Sequence, residues 1–156
     1  RIRVGQVYVI FGSRSGFPPF LNVTTLDGSN GFTIINPGGG NFNSVSTAGD
    51  INNDGIDDIL IGDMSNGFII FGSKLGFNAS LDLTTLNGSN GFSTTTSSMP
   101  AGGGVAGLGD VNGDSISDII ISAYSMLGSI SKAYVLFGQG VPAPTPTPTP
   151  TPTHVS

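Results

Sequence analysis

Residues 48–62 read Ala-Gly-Asp-Ile-Asn-Asn-Asp-Gly-Ile-Asp-Asp-Ile-Leu-Ile-Gly, and a related stretch, Gly-Asp-Val-Asn-Gly-Asp-Ser-Ile-Ser-Asp-Ile-Ile-Ile, fills residues 109–121. Each stretch joins a nine-residue acidic loop, residues 50–58 (loop 1) or 110–118 (loop 2), to a short apolar block. Blocks this short, rich in β-branched residues and bounded by glycine, are typical of buried strands rather than helices. The two stretches therefore predict an all-β protein whose loops carry the polar chemistry.

Both loops place oxygen-bearing side chains at loop positions 1, 3, 5 and 9. Ca²⁺ binds about six to eight oxygen atoms from carboxylates, amides, backbone carbonyls and water. We therefore predict two Ca²⁺ sites, although two acidic Asx turns without an ion would give the same pattern. The predicted ligands are the side chains of Asp50, Asn52, Asp54 and Asp58 with the carbonyl of Ile56, and those of Asp110, Asn112, Asp114 and Asp118 with the carbonyl of Ile116.

The loops differ from the EF-hand, which has a bidentate Glu at position 12 between two helices. Position 12 is Ile61 or Ile121 here, and all ten acidic residues of the chain are Asp. Loop 2 also has Ser115 where loop 1 has Gly55, at position 6 of a sharp turn. A non-glycine residue at positive φ costs about 1–2 kcal/mol. We expect the second site to be the weaker one.

Composition excludes several classes of protein. The chain has 25 Gly, no Cys and only five basic residues, so it lacks the composition of a helical protein, a disulfide scaffold or a nucleic-acid binder. Its apolar runs are far shorter than the roughly 20 residues of a membrane span. Most of the net charge of −5 comes from the two loops. Calcium loops of this kind suit a calcium-rich exterior, so we expect a secreted or surface location.

A wider repeat surrounds the loops. Residues 16–32 return as residues 76–92, and a strand ending in Phe-Gly is predicted ahead of each copy, over Val7–Ser13 and Phe68–Ser73, and again at Ala133–Gly138. About four short strands per repeat fit a four-stranded propeller blade. One complete unit is predicted from Phe42–Ala48, Asp58–Ile61, Phe68–Phe71 and Asn90–Thr95, with a hairpin turn at Asn66-Gly67. Leu81–Leu86 fits either a strand or a packed connection.

The repeats amount to about two and a quarter antiparallel blades, whereas propellers close with about four to eight. We expect residues 1–140 to be part of a larger propeller, or several copies to complete each other through open sheet edges. The segment from Val141 to Thr153 alternates Pro with Thr or Ala, and residues 141–156 are predicted to form a disordered tail or polyproline spacer. The triplets that begin at Asn22, Asn78 and Asn87 match the N-glycosylation motif.

From Val4 to Gly138 the chain resembles the FG-GAP repeats of integrin α-chain β-propellers and their bacterial surface relatives. The resemblance rests on residues 48–62, on Gly107-Leu-Gly-Asp110-Val-Asn-Gly-Asp and on the Phe-Gly strands. It implies that each calcium loop joins the first two strands of a blade and supplies the ligands named above. The family's Gly-Ala-Pro is replaced by Gly62-Asp63-Met64 and Ser122-Ala123-Tyr124, and its leading Phe-Gly by Phe42-Asn43 and Gly103-Gly104. These residues pack neighbouring blades in the family.

The sequence favours binding over catalysis. The only histidine, His154, follows the proline tract, and neither Cys nor Glu is present, so Ser–His–Asp and thiol chemistry lack their residues. Asp27, Asp63 and Asp82 lie outside the loops and are typical of turns. We expect a calcium-binding propeller segment, not an enzyme, that serves adhesion, protein interaction or display through a protein or glycan ligand. The alternatives are an accessory module of an extracellular hydrolase and a self-assembling fibre subunit.

Overall fold

The computed structural model describes residues 5–64, 66–95, 101–123 and 132–140, and all regular structure in these ranges is β-strand except for two 3₁₀ turns. The turns span Val23–Thr25 and Leu83–Thr85. The strands are β1 (Gly5–Ile10), β2 (Gly31–Asn36), β3 (Phe42–Gly49), β4 (Asp58–Asp63), β5 (Asn66–Ile70), β6 (Ser80–Asp82), β7 (Gly91–Thr95), β8 (Ala101–Gly109), β9 (Asp118–Ala123) and β10 (Lys132–Leu136). The all-β prediction is confirmed.

The strands form three open sheets within the described ranges. Sheet 1 has the order β1-β2-β6, sheet 2 the order β3-β4-β5-β7, and sheet 3 the order β10-β9-β8. Sheet 2 is antiparallel throughout and is the complete four-stranded unit that the sequence predicts. Sheets 1 and 3 are the partial units that flank it.

Sheet 1 departs from the predicted antiparallel blade. Its third strand, β6, follows sheet 2's β5 along the chain and pairs in parallel with β2, with Ile34 opposite Leu81. Leu81–Leu86 was predicted to be either a strand or a packed connection, and the structure contains both. Ser80–Asp82 is a strand, and Leu83–Thr85 is a packed 3₁₀ turn in which Leu83 is buried. Asp82 caps this turn by accepting the Thr84 N–H at 2.8 Å. This segment ties the second repeat to the first.

The hairpin between β4 and β5 exists, but the prediction that Asn66-Gly67 forms its turn is wrong. Both residues lie in β5, and Gly67 pairs with Gly62 across the hairpin. A Cβ at Gly67 would meet Thr94 Oγ1 at 2.8 Å and Ile121 Cδ1 at 2.9 Å. Glycine is needed there because neighbouring side chains approach the strand closely, which a local turn pattern does not report.

The strands predicted to end in Phe-Gly are shorter than expected. β1, β5 and β10 end at Ile10, Ile70 and Leu136, one residue before the Phe of each Phe-Gly pair. In sheets 2 and 3 the glycine amide that follows this Phe binds a carboxylate of the acidic loop, as described below. Phe71 still donates its N–H to the Asn90 carbonyl at 3.1 Å, so the glycine rather than the phenylalanine contacts the loop.

Sheet 2 is covered on both faces, and the alternation of its side chains decides which core each residue joins. Leu60 and Ile69 pack with sheet 3, in a core that includes Ile119 and Ile121. The side chains of Ile61, Phe68 and Ile70 lie on the opposite face of sheet 2. They pack with Phe32 and Ile34 of sheet 1. Each fully buried side chain of this size contributes about 1.5–3 kcal/mol. These two cores hold the sheets in a stack and fix the loops at one end of their strands.

The proposed domain boundary at residue 140 coincides with the last described residue, and residues 141–156 lie outside the described part. Among the described residues there is no helix of the length and apolarity required to cross a bilayer.

Candidate metal centre

Both acidic loops join the first two strands of a sheet, which is the position that the family resemblance implies. Loop 1 connects β3 to β4, and loop 2 connects β8 to β9. Each loop is closed at its base by a strand pair, Gly49 opposite Asp58 and Gly109 opposite Asp118. The ladder register shifts just before both pairs, so the loops leave their sheets through equivalent irregularities.

In loop 1 the predicted ligands are joined by hydrogen bonds. Asp50 accepts the Asp54 N–H on Oδ1 and the Gly55 N–H on Oδ2, both at 2.9 Å. Asn52 accepts the Asp54 N–H on Oδ1 at 3.0 Å and donates from Nδ2 to Asp54 Oδ2 at 2.9 Å. Asp54 in turn accepts the Ile56 N–H at 2.9 Å. The side chains at positions 1, 3 and 5 therefore lie together inside the turn.

Loop 2 repeats this arrangement. Asp110 accepts the N–H groups of Asp114 at 3.2 Å and Ser115 at 2.7 Å. Asn112 accepts the Asp114 N–H at 3.0 Å and donates to Asp114 Oδ2 at 2.8 Å. Asp114 accepts the Ile116 N–H at 2.9 Å. The two loops, which have the same residue at positions 1, 3, 5, 7 and 9, thus fold alike.

The backbone conformation explains the likeness. Position 4 has positive φ in both loops, at Asn53 (56°) and Gly113 (82°), and so does position 6, at Gly55 (85°) and Ser115 (69°). The expectation that Ser115 occupies a left-handed conformation is confirmed. The positive φ at position 4 was not predicted, although Asn and Gly are the residues that tolerate this conformation best.

The carboxylates at position 9 are buried and bound by backbone amides. Asp58 is 2% exposed and accepts the N–H groups of Ile51 at 3.0 Å and Gly72 at 2.8 Å. Asp118 is fully buried and accepts those of Val111 at 2.8 Å and Gly138 at 2.9 Å. Each position 9 carboxylate therefore joins the start of its own loop to a Phe-Gly pair.

The glycine of each Phe-Gly pair is required by this close approach. A Cβ at Gly72 would collide with Ile56 Cγ2 and would meet the Asp57 carbonyl at 2.7 Å. A Cβ at Gly138 would collide with the side chain of Ile116 and the carbonyl of Ser117. From the sequence, Phe-Gly was predicted to end a strand. The structure shows that its glycine completes the loop.

Two of the loop carboxylates, Asp58 and Asp110, have shifted pKa values. Burial raises the pKa of Asp58 above 3.8; backbone hydrogen bonds from Gly72 and Ile51 oppose the shift, and the charges of Asp54 and Asp50 add to it. The pKa of Asp110 is lowered, chiefly by the hydrogen bond from the Ser115 amide. Loop 1 thus gathers negative charge around a buried carboxylate, and a bound cation would relieve that repulsion.

The donor set fits a hard cation. Every predicted side-chain ligand offers oxygen, and a carboxylate oxygen that accepts one N–H keeps a further lone pair for a metal. Across the described ranges no three acidic, imidazole or thiol groups converge closely enough to hold a metal by themselves. Calcium would therefore have to draw the loop oxygens inward and use amide, carbonyl or water oxygens as well.

The aspartates outside the loops act as turn formers where their bonds are resolved. Asp27 accepts the Ser29 N–H at 2.9 Å, and Asp82 caps its 3₁₀ turn. Asp63 is buried and accepts the Asn66 N–H at 2.6 Å and a bond from Asn36 Nδ2 at 3.3 Å. These contacts stabilise loops and sheet ends.

The three N-glycosylation triplets lie at the surface. Asn22, Asn78 and Asn87 are all exposed. Asn22 and Asn87 already use their side-chain carbonyls to accept the N–H groups of Thr24 and Ser89. Modification of these residues stays a prediction.

Comparison with known proteins gives no family: no protein-family model matches the chain. Searches of curated proteins and of solved structures give no match either.

Proposed function

We propose that this chain is a calcium-binding repeat segment of the FG-GAP propeller type, in which sheet 2 is one blade and sheets 1 and 3 are parts of its neighbours. It acts outside the cell or at its surface, in adhesion, protein interaction or structural display. Loops 1 and 2 each bind one Ca²⁺ through the side chains at positions 1, 3, 5 and 9 and the carbonyl at position 7.

One observation carries this proposal: both loops fold onto the same turn, with hydrogen-bonded polar side chains at positions 1, 3 and 5 and a buried carboxylate at position 9. Asx turns alone would account for the bonds at positions 1 and 5. They do not require a third carboxylate, Asp58 or Asp118, to be buried at the base of each loop. A buried carboxylate is costly unless it is hydrogen-bonded and compensated by a positive charge. In loop 1, Lys74 Nζ donates to the backbone carbonyl of Asp54 at 3.3 Å.

Calcium would supply that charge and would strengthen the contacts between strand ends at the loop. Asp58 and Asp118 already connect the loops to Gly72 and Gly138. An ion held by the same carboxylates would fasten three strands of a sheet at one end. Binding to the folded state stabilises it by about 2.7 kcal/mol per site when free calcium is 100-fold above Kd.

Calorimetric titration of the purified chain with CaCl₂ tests the proposal, with MgCl₂ as the control ion. We expect two calcium sites and a melting temperature that falls when a chelator removes the ion. Asp54→Ala and Asp114→Ala should each remove one site and leave the other, because the loops belong to different sheets. An unchanged melting temperature in chelator, or loss of both sites from either substitution, would contradict the assignment.

A further inference from the structure

The internal repeat allows one aromatic pair to be compared with its own copy. Phe11 and Phe32 of the first repeat correspond to Phe71 and Phe92 of the second, each 60 residues later. The ring centroids are 5.9 Å apart with planes at 57° in the first pair, and 6.0 Å apart at 65° in the second. The two pairs have the same geometry, so any difference around them comes from what packs against them.

In sheet 1 the pair is covered by a segment of the next repeat. The ring of Phe77 stacks on Phe32 with centroids 4.2 Å apart and planes at 11°, and it lies 6.3 Å from Phe11. Phe32 is fully buried as a result. Beyond the ring the segment continues as β6 along the edge of β2, and the Thr33 N–H donates to the Ala79 carbonyl at 3.0 Å. One aromatic side chain and one short strand fill this site.

In sheet 2 the equivalent site is a cavity. A space of about 590 Å³ is lined by Phe71, Phe92, Leu136 and Phe137, among others. Phe92 is only partly buried and Phe137 is 55% exposed. In the described ranges β7 pairs with β5 alone, so its outer edge has no counterpart of β6.

The glycines beside the two sites show the same difference. A Cβ at Gly28, in the first repeat, would collide with the Phe77 carbonyl. Gly88, its equivalent 60 residues later, lines the cavity and would meet nothing within 4 Å. The sequence also has no second copy of Phe77, the residue that fills the site in sheet 1. Ala143 follows Phe137 at the same distance at which Phe77 follows Phe71, and residues 138–156 contain no Phe, Tyr or Trp.

We propose that this cavity binds an extended polypeptide segment of a partner protein through an aromatic side chain. The aromatic ring stacks on Phe92 as Phe77 stacks on Phe32, and the backbone after it runs along the open edge of β7. The fourth residue after the aromatic one is apolar, because Leu81 has that place in sheet 1. The cavity is also lined by Ile51 and Asn52 of loop 1, but the proposed affinity comes from ring stacking and strand addition and needs no bound ion.

The chain itself provides the first probe, a synthetic peptide with the sequence of residues 76–83, Gly-Phe-Asn-Ala-Ser-Leu-Asp-Leu. Titration of the labelled peptide with the full chain, followed by fluorescence anisotropy, should give saturable binding to one site. The matched control peptide has Phe77→Ala and should bind about tenfold more weakly or worse, since it lacks the ring. Equal binding of both peptides, or no binding of either, would overturn the proposal.

Substitutions in the protein locate the site. Phe92→Ala removes the stacking surface, and Phe137→Ala removes an exposed wall that leaves the core intact; both should abolish peptide binding. Phe20→Ala is the control, because this phenylalanine is 94% exposed and distant in sequence from the cavity. If Phe92→Ala does not fold, Phe137→Ala and a cavity-filling Gln139→Trp decide the outcome. Peptide binding unchanged in these variants would overturn the proposal, as would an oligosaccharide that occupies the cavity when the peptide does not.

Discussion

Loop position 6 offers a test of stored backbone strain, because two equivalent loops have different residues there. Ser115 has φ of 69°, and its side chain is exposed. Its N–H donates to Asp110 Oδ2 at 2.7 Å, and a glycine would keep that bond. Ser115→Gly therefore changes the conformational cost of the turn and little else.

The expected magnitude follows from two opposing effects. The left-handed conformation costs a non-glycine residue about 1–2 kcal/mol. Glycine increases the freedom of the unfolded chain, which offsets about 0.4–1 kcal/mol of that gain. The net increase in the free energy of unfolding should be about 0.8 kcal/mol. The reverse change, Gly55→Ser, should cost a similar amount, because a Cβ at Gly55 meets nothing within 4 Å and only strain is added.

Urea unfolding of the two variants, in calcium and in chelator, measures these changes. Ser93→Gly is the matched control: Ser93 is exposed in β7 and does not have positive φ, so glycine there should destabilise. Because the strain exists in the folded chain, we expect the gain from Ser115→Gly in both conditions. If the calcium affinity of loop 2 also rises in Ser115→Gly, the turn must become ordered when calcium binds. A loss of stability in Ser115→Gly, or no loss in Gly55→Ser, would refute the assignment of strain to position 6.

Three further predictions concern the pH dependence, the core and the sheet edges. Without calcium, the raised pKa of Asp58 means that the folded state holds a proton more tightly than the unfolded state, so this residue's contribution to stability should fall as the pH rises above 3.8. Asp58→Asn should flatten that slope in urea unfolding followed upward from pH 3.8, and an unchanged slope would contradict the shift. Leu60→Ala should cost about 2–5 kcal/mol because Leu60 is fully buried between sheets 2 and 3, whereas Leu75→Ala, at a residue 99% exposed, should change stability by less than about 0.5 kcal/mol. The 156-residue chain should self-associate as its concentration rises, because β1 and β10 are edge strands with exposed apolar side chains, including Tyr8 and Val135. A light-scattering mass equal to that of the monomer at every concentration would contradict this prediction.

Much of the architecture follows from local pattern. The apolar blocks after loops 1 and 2 are strands β4 and β9, and the complete unit predicted from Phe42 to Thr95 is sheet 2. These predictions succeed because strand formation and turn chemistry depend on residues adjacent in sequence. The strain at Ser115 was predictable for the same reason, since loop 1 supplies a glycine at the matching position.

Contacts between distant segments were decided by the tertiary structure. The sequence of residues 81–86 could not select a partner for β6, because parallel pairing with β2 depends on how two repeats stack. The role of Gly67 was misassigned because the side chain that crowds it, Ile121, is 54 residues away. Likewise, the amides of Gly72 and Gly138 bind Asp58 and Asp118 only after the sheet brings them to the loops. The sequence determined which residues form strands and acidic turns, whereas packing between repeats determined which groups complete each loop and which aromatic pair was left uncovered.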